Sequence, residues 1–134
     1  MTVEIFCIAL LAALSILLGL LVTIARGKFN VLSGNSSDPT DTLNKLVRAH
    51  GNTVEYAPLL MILMYALSQV DHAPWVTWCV VLATACRLLF VLGIVFPKTM
   101  AVPNPMRFIG AVGTYIFGLA LCFALLLYVG GVAR

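Results

Sequence analysis

Charge is what this chain has least of. Only 10% of its 134 residues are charged, against about 25% in soluble domains, and 62% are hydrophobic. The cations sit at the ends of apolar runs and never form a basic run with interleaved aromatics, so no nucleic-acid partner is expected. Cys7, Cys79, Cys86 and Cys122 lie scattered in apolar stretches without metal-ligand spacing. They read as small hydrophobes in a core, and no metal site is expected. Room for a soluble catalytic module is missing too. Four long apolar segments, about 3–25, 53–69, 73–96 and 106–129, nearly use up the chain. Each is close to the roughly 20 residues that a helix needs to cross a bilayer.

What is present therefore points to an all-α integral membrane four-helix bundle. It forms a single domain over 1–134, with helices about 3–26, 41–69, 73–96 and 105–130. The first segment is too long for a signal peptide. It opens on Glu4 where a signal carries basic residues, and no small-residue cleavage site follows it. Ser, Gly, Asn, Asp and Pro in "RGKFNVLSGNSSDPTDTLNK" mark a polar loop, with Thr40 or Asp41 as the next helix cap. Pro97, Pro103 and Pro105 punctuate the third connection. Arg26, Lys28, Lys45, Lys98 and Arg107 flank the first and third loops, whereas Glu4, Asp71, His72 and Arg134 mark the opposite side. The positive-inside rule then places both termini outside and these two loops in the cytoplasm.

The second helix carries a contradiction. At about 100° per residue, Asp41, Asn44, Arg48, Asn52 and Glu55 fall within roughly 80° of one another. The stripe continues as Leu59, Ile62 and Ala66; Tyr56 is on its flank and His50 points away from it. Lipid is a poor neighbour for such a stripe, so it faces either the bundle or a neighbouring subunit. A rise of ~1.5 Å per residue puts Glu55 and Arg87 about 20 Å below the external helix ends, which predicts an ion pair between them. The same arithmetic puts Arg26, Arg48 and Arg107 in one layer, roughly 31–34 Å down. Arginines clustered in this way suit carboxylates or phosphates, and a nearby carboxylate suits an ammonium. The residues predict a pocket for a small zwitterion with excess negative charge, open to the cytosol and flanked by lipid.

"RAHGNTVEYAP" resembles the helix-two signature of the membrane-associated proteins in eicosanoid and glutathione metabolism, the MAPEG family. The matching residues are Arg48, Asn52, Glu55, Tyr56 and Pro58. "CRLLFVLG" with Arg87 and "PNPMRF" with Arg107 resemble the third helix and the start of the fourth, and the short bacterial-type branch is the nearest in character. The resemblance implies a homotrimer that binds glutathione, as co-substrate, at subunit interfaces. Arg26, Arg48, Asn52, Glu55 and Tyr56 would contact glutathione, and Arg87 would support or bind it. Arg107 would stabilise the thiolate that attacks a lipophilic second substrate. The departure is on helix three, where Phe90 and Ile94 stand at positions that family enzymes acting on eicosanoids fill with tyrosines or other polar groups. Tyr115 is either a substitute phenol or a packing aromatic.

Three functions fit. One is a glutathione transferase or peroxidase acting on lipophilic electrophiles or hydroperoxides. Another is a non-catalytic membrane protein that binds glutathione or lipid. The third is a small exporter using Glu55 as a proton-coupled site.

Overall fold

The computed structural model describes residues 3–131 as four helices, with no strand among the described residues: α1 (Val3–Phe29), α2 (Thr42–Ser68), α3 (Pro74–Val95) and α4 (Pro105–Val129). Arg134, part of the charge argument above, lies outside the described residues. Local chemistry sets the helix starts. The Asp41 side chain accepts from Asn44 N at 2.8 Å and caps α2. Pro74 and Pro105 open α3 and α4, where a missing N–H costs nothing. At α4 the preceding Asn104 adds a cap, its Oδ1 accepting from Met106 N and Arg107 N. At the far end of α1, Arg26 and Lys28 sit in the last turn, where the helix dipole favours cations, and the helix runs on to Phe29.

By length and composition, α1, α3 and α4 can each cross a membrane. Helix α2 is as long as α1 but less apolar, because its first half carries the polar stripe. Ile16, Ile24, Leu119 and Leu126 are exposed on α1 and α4, the arrangement of side chains that lipid would cover.

One core holds the half of the bundle nearer the termini together, with Leu11, Ala57, Met64, Val80, Ala83 and Leu121 at its centre. A second, around Leu18, Ala49, Phe90 and Ile94, lies nearer the loops. The seam between α3 and α4 is the closest approach. A Cβ at Gly110 would sit 2.7 Å from the Cys86 carbonyl oxygen and against the Phe90 backbone. One at Gly93 would overlap the backbone of Arg107. Bare glycine on both sides therefore seats the first turn of α4 directly on α3, and that seat fixes where Arg107 starts. His50 turns away from the polar stripe and packs against Gly19 of α1.

Candidate functional site

The α1–α2 and α3–α4 connections meet at one end of the bundle. Met100 N donates to the Pro39 carbonyl at 2.9 Å, and Lys45 Nζ donates to the Pro97 carbonyl at 3.1 Å. The first loop is itself tied down. Asn35 Nδ2 donates to Asn44 Oδ1, and Asn44 Nδ2 donates to the Asp38 carbonyl, both at 2.8 Å. The Thr40 N–H and then its hydroxyl, at 2.8 and 2.7 Å, hold the Asp38 carboxyl below its usual range.

Beneath these loops lies a two-lobed hollow. Its polar lobe, about 700 Å³, is lined by Asn35, Ser36, Asn44, Arg48, Asn52 and Glu55, among others. The second lobe, about 920 Å³, is more apolar and is lined by Arg48, Arg107, Asn104, Pro103 and Phe108, among others. Arg48, Phe90, Ile94 and Met100 line both. Each lobe is of the size that binds small molecules. Asn44, Arg48, Asn52 and Glu55 of the helical stripe thus wall one cavity, while Asp41 caps the helix. The stripe does not point into the bundle: above Glu55, Leu59 and Ile62 are 59% and 66% exposed.

Arg48 and Glu55 are exposed to the hollow, and neither forms an ion pair among the described residues. Arg107 is half-buried and donates from Nη1 to the Met100 carbonyl at 3.0 Å. An arginine has five N–H donors, so this bond leaves capacity for a ligand. A cation in the first turn of a helix works against the dipole, and bound negative charge would relieve that. Chemically, one lobe offers amides, a carboxylate and a guanidinium; the other offers two guanidiniums against an apolar wall.

Arg87 corrects one expectation. It is buried, at 1% exposure, and it does not pair with Glu55. Its Nη2 donates to Asn52 Oδ1 at 2.8 Å, and its guanidinium lies 4.7 Å from the Phe90 ring centre and 5.4 Å from that of Tyr56. Depth along a helix does not fix direction around it: Glu55 faces outward with the stripe, while Arg87 faces inward. One hydrogen bond and two aromatic faces stand in for the carboxylate, and Nε is left without a partner. Arg87 lines neither lobe and lies behind the site, holding Asn52 from the bundle side.

Arg26 is the second correction. The three-arginine layer does not form within one chain. Arg48 and Arg107 share a lobe, but Arg26 lines a separate hollow with Asn30 and Leu32 and donates to the Gly34 carbonyl at 2.8 Å. Because α1 continues past it, Arg26 folds back onto its own loop.

Tyr56 also lies apart from the polar lobe. Its hydroxyl meets that of Tyr115 at 3.2 Å, with ring centres 5.4 Å apart and the rings edge to face. Both line an apolar groove of about 310 Å³ between α2 and α4, with Leu59, Leu63 and Leu119. Tyr115 therefore joins the network that runs from Asn52 through Arg87 to Tyr56. The sequence reading missed Asn35, Asn104 and Met100. For Asn104 a signal existed, since Asn before Pro is a strong helix start.

A membrane-type four-helix bundle with a cationic, amide-lined hollow at its loop end defines the class. A family model described as "MAPEG family" matches residues 5–127. The chain belongs to the MAPEG family. Searches of curated proteins and of solved structures returned no match.

Proposed function

We propose that this protein is a membrane-bound, glutathione-dependent transferase or peroxidase acting on lipophilic electrophiles or hydroperoxides. The observation that carries the reading is the hollow itself. Arg48, Asn52 and Glu55 line one lobe and Arg48 and Arg107 the other, in a chain of this family. Glutathione has two carboxylates, an ammonium and a thiol. Arg48 binds carboxylate, Glu55 holds the ammonium and Asn52 hydrogen-bonds the peptide. Arg107 faces the sulfur. A free thiol has a pKa near 8.5, so a guanidinium beside the sulfur raises the thiolate fraction at neutral pH. The thiolate then attacks an electrophilic carbon delivered from the membrane, displacing its leaving group or adding to an activated double bond. With a hydroperoxide it attacks the outer oxygen and breaks the O–O bond. That step releases the alcohol and leaves a glutathione sulfenic acid, which a second glutathione converts to the disulfide and water. Arg87 acts behind the site by holding Asn52, and Tyr56 acts from the apolar side.

The working unit is proposed to be a homotrimer. Two observations support an oligomer: the α2 stripe continues outward as exposed Leu59 and Ile62, and Arg26 is absent from its own chain's hollow. A second copy would cover the first and supply the second. The cations around the two loops support a hollow on the cytoplasmic side with both termini outside, as the positive-inside rule favours.

A second reading, a binding protein without chemistry, rests on Phe90 and Ile94. Both face the lobes and neither offers a hydroxyl. The exporter reading loses ground, because Glu55 opens to the loop-end hollow and not to a mid-bundle cavity. Turnover separates the first two. Detergent-purified protein with glutathione should conjugate or reduce members of a panel of lipophilic electrophiles and hydroperoxides, and Arg107→Ala should lose that rate more than it loses glutathione affinity. Saturable binding with no turnover across the panel selects the binding protein.

A further inference from the structure

One buried polar residue of the α2 stripe takes no part in the proposed glutathione contacts. Asn44 is 6% exposed, one turn before Arg48, and it edges the polar lobe. Both ends of its amide are engaged by the α1–α2 connection. Oδ1 accepts from Asn35 Nδ2 and Nδ2 donates to the Asp38 carbonyl, each at 2.8 Å. The Asp41 N–H donates to that same carbonyl at 3.2 Å, and the Asp41 side chain caps the helix on the Asn44 N–H. The chain from Asp38 to Asn44 is therefore closed on itself, and the Pro39 carbonyl leaves it in a fixed direction.

That carbonyl accepts from Met100 N at 2.9 Å, and the Met100 carbonyl accepts from Arg107 Nη1 at 3.0 Å. One peptide residue thus joins the two connections and holds the guanidinium that the proposed chemistry sets against the sulfur. Among the described residues, the Arg107 side chain has no other hydrogen bond. A long side chain on a single tether has rotamer freedom to regain, and a cation's hold on a thiolate falls with distance. Where Arg107 points therefore depends on where Met100 stands, and Met100 is placed by the loop.

We propose, on the reading of the hollow as a glutathione site, that Asn44 is a positioning residue for Arg107. It acts through the Pro39 carbonyl and the Met100 residue, not by contact with the sulfur. Losing the Asn44 amide releases the Asp38 carbonyl, lets Pro39 move, and frees Met100 to turn with Arg107 attached. Lys45 Nζ still holds the Pro97 carbonyl, so the two connections stay together and the bundle survives. Arg48, Asn52 and Glu55 stay in place, so the loss falls on the thiol and only weakly on affinity.

The test uses the full chain in detergent micelles, with two readouts. The first needs no ligand: hydrogen exchange at the Met100 amide, followed by mass spectrometry, should speed up several-fold in Asn44→Ala. The second titrates the ultraviolet thiolate band of bound glutathione. In Asn44→Ala its midpoint should move up toward the free-thiol value of about 8.5, and kcat should fall several-fold with KM for glutathione little changed. In an Arg107→Ala background, adding Asn44→Ala should move the midpoint no further, because the route to the sulfur is already cut. A residue that only stabilised the fold would lower the rate without moving the thiol. Unchanged Met100 exchange, an unmoved midpoint, or shifts that add to those of Arg107→Ala overturn the proposal. Should Asn44→Ala not fold, Asn35→Ala, at an exposed residue, removes one of the same two bonds and decides by the same criteria. A wild type that takes up no glutathione overturns the proposed function, and Met100 exchange still decides whether Asn44 holds the link.

Discussion

At the loop end of the bundle, Arg48 and Glu55 stand in an open hollow and form no ion pair among the described residues. At the other end, Glu4 is buried and is met by both His72 and Thr77. A buried charge must be satisfied inside the protein, or the fold carries its desolvation. A charge lining a cavity can wait for a ligand to satisfy it. The contrast separates polar groups that hold the bundle together from polar groups that are free to bind. Arg87 sits between the two classes: buried like Glu4, yet attached to Asn52, a residue of the hollow.

The largest effect should come from the seam that seats Arg107. Gly110→Leu drives a side chain into the Phe90 and Cys86 backbone, so α3 and α4 must separate. Overpacking of this kind typically costs about 1–3 kcal/mol, and against backbone the cost should exceed that range. Loss of the folded peak in size-exclusion chromatography checks it. Retention of a native-like midpoint would mean that the seam is looser than described.

Arg87 comes next, and it sharpens the division between structural and binding groups. Arg87→Ala leaves a void between two aromatic rings, a loss of about 3 kcal/mol, while the Asn52 amide freed in any Arg87 variant opens to the hollow. Arg87→Met fills the same space without a charge and should stay within about 1 kcal/mol of wild type. Thermal unfolding of the two variants side by side measures the difference. If Met proves as damaging as Ala, the charge itself is required.

Arg48→Ala and Glu55→Gln should each change stability by no more than about 0.5 kcal/mol, since neither residue forms an ion pair among the described residues. A drop of several degrees in either variant would show that the hollow, too, is held together by its charges.

The smallest effect should come from Asp38. Its carboxyl is held below the ordinary range by the Thr40 N–H and hydroxyl, so it stabilises the α1–α2 loop above the unfolded value of about 3.9 and loses that contribution as pH falls through the lower folded value. Asp38→Ala should therefore speed proteolysis of the loop at neutral pH, and the difference from wild type should vanish in acid.

Much of this was readable in the sequence, for physical reasons. Long apolar runs interrupted by proline and polar loops have few ways to fold in lipid, so the four helices followed. The stripe on α2 followed from the helical period, and Asn44, Arg48, Asn52 and Glu55 do line one cavity. What failed was azimuth across helices. Rise per residue put Arg87 at the level of Glu55 but could not show that one faces inward and the other outward. It put Arg26 level with Arg48 but could not show that Arg26 bonds to its own loop. The Tyr56–Tyr115 contact joins residues 59 positions apart and has no local signature. Neither does the Met100 peptide, which takes part through its backbone.

The most direct measurement is glutathione titration calorimetry on the detergent-purified protein, with Arg48→Ala and Glu55→Gln beside it. Saturable wild-type binding that each substitution weakens at least tenfold, a loss of about 1.4 kcal/mol or more, with folding intact, is the predicted result. A folded wild type that takes up no glutathione at any accessible concentration would contradict the assignment of the hollow to that ligand.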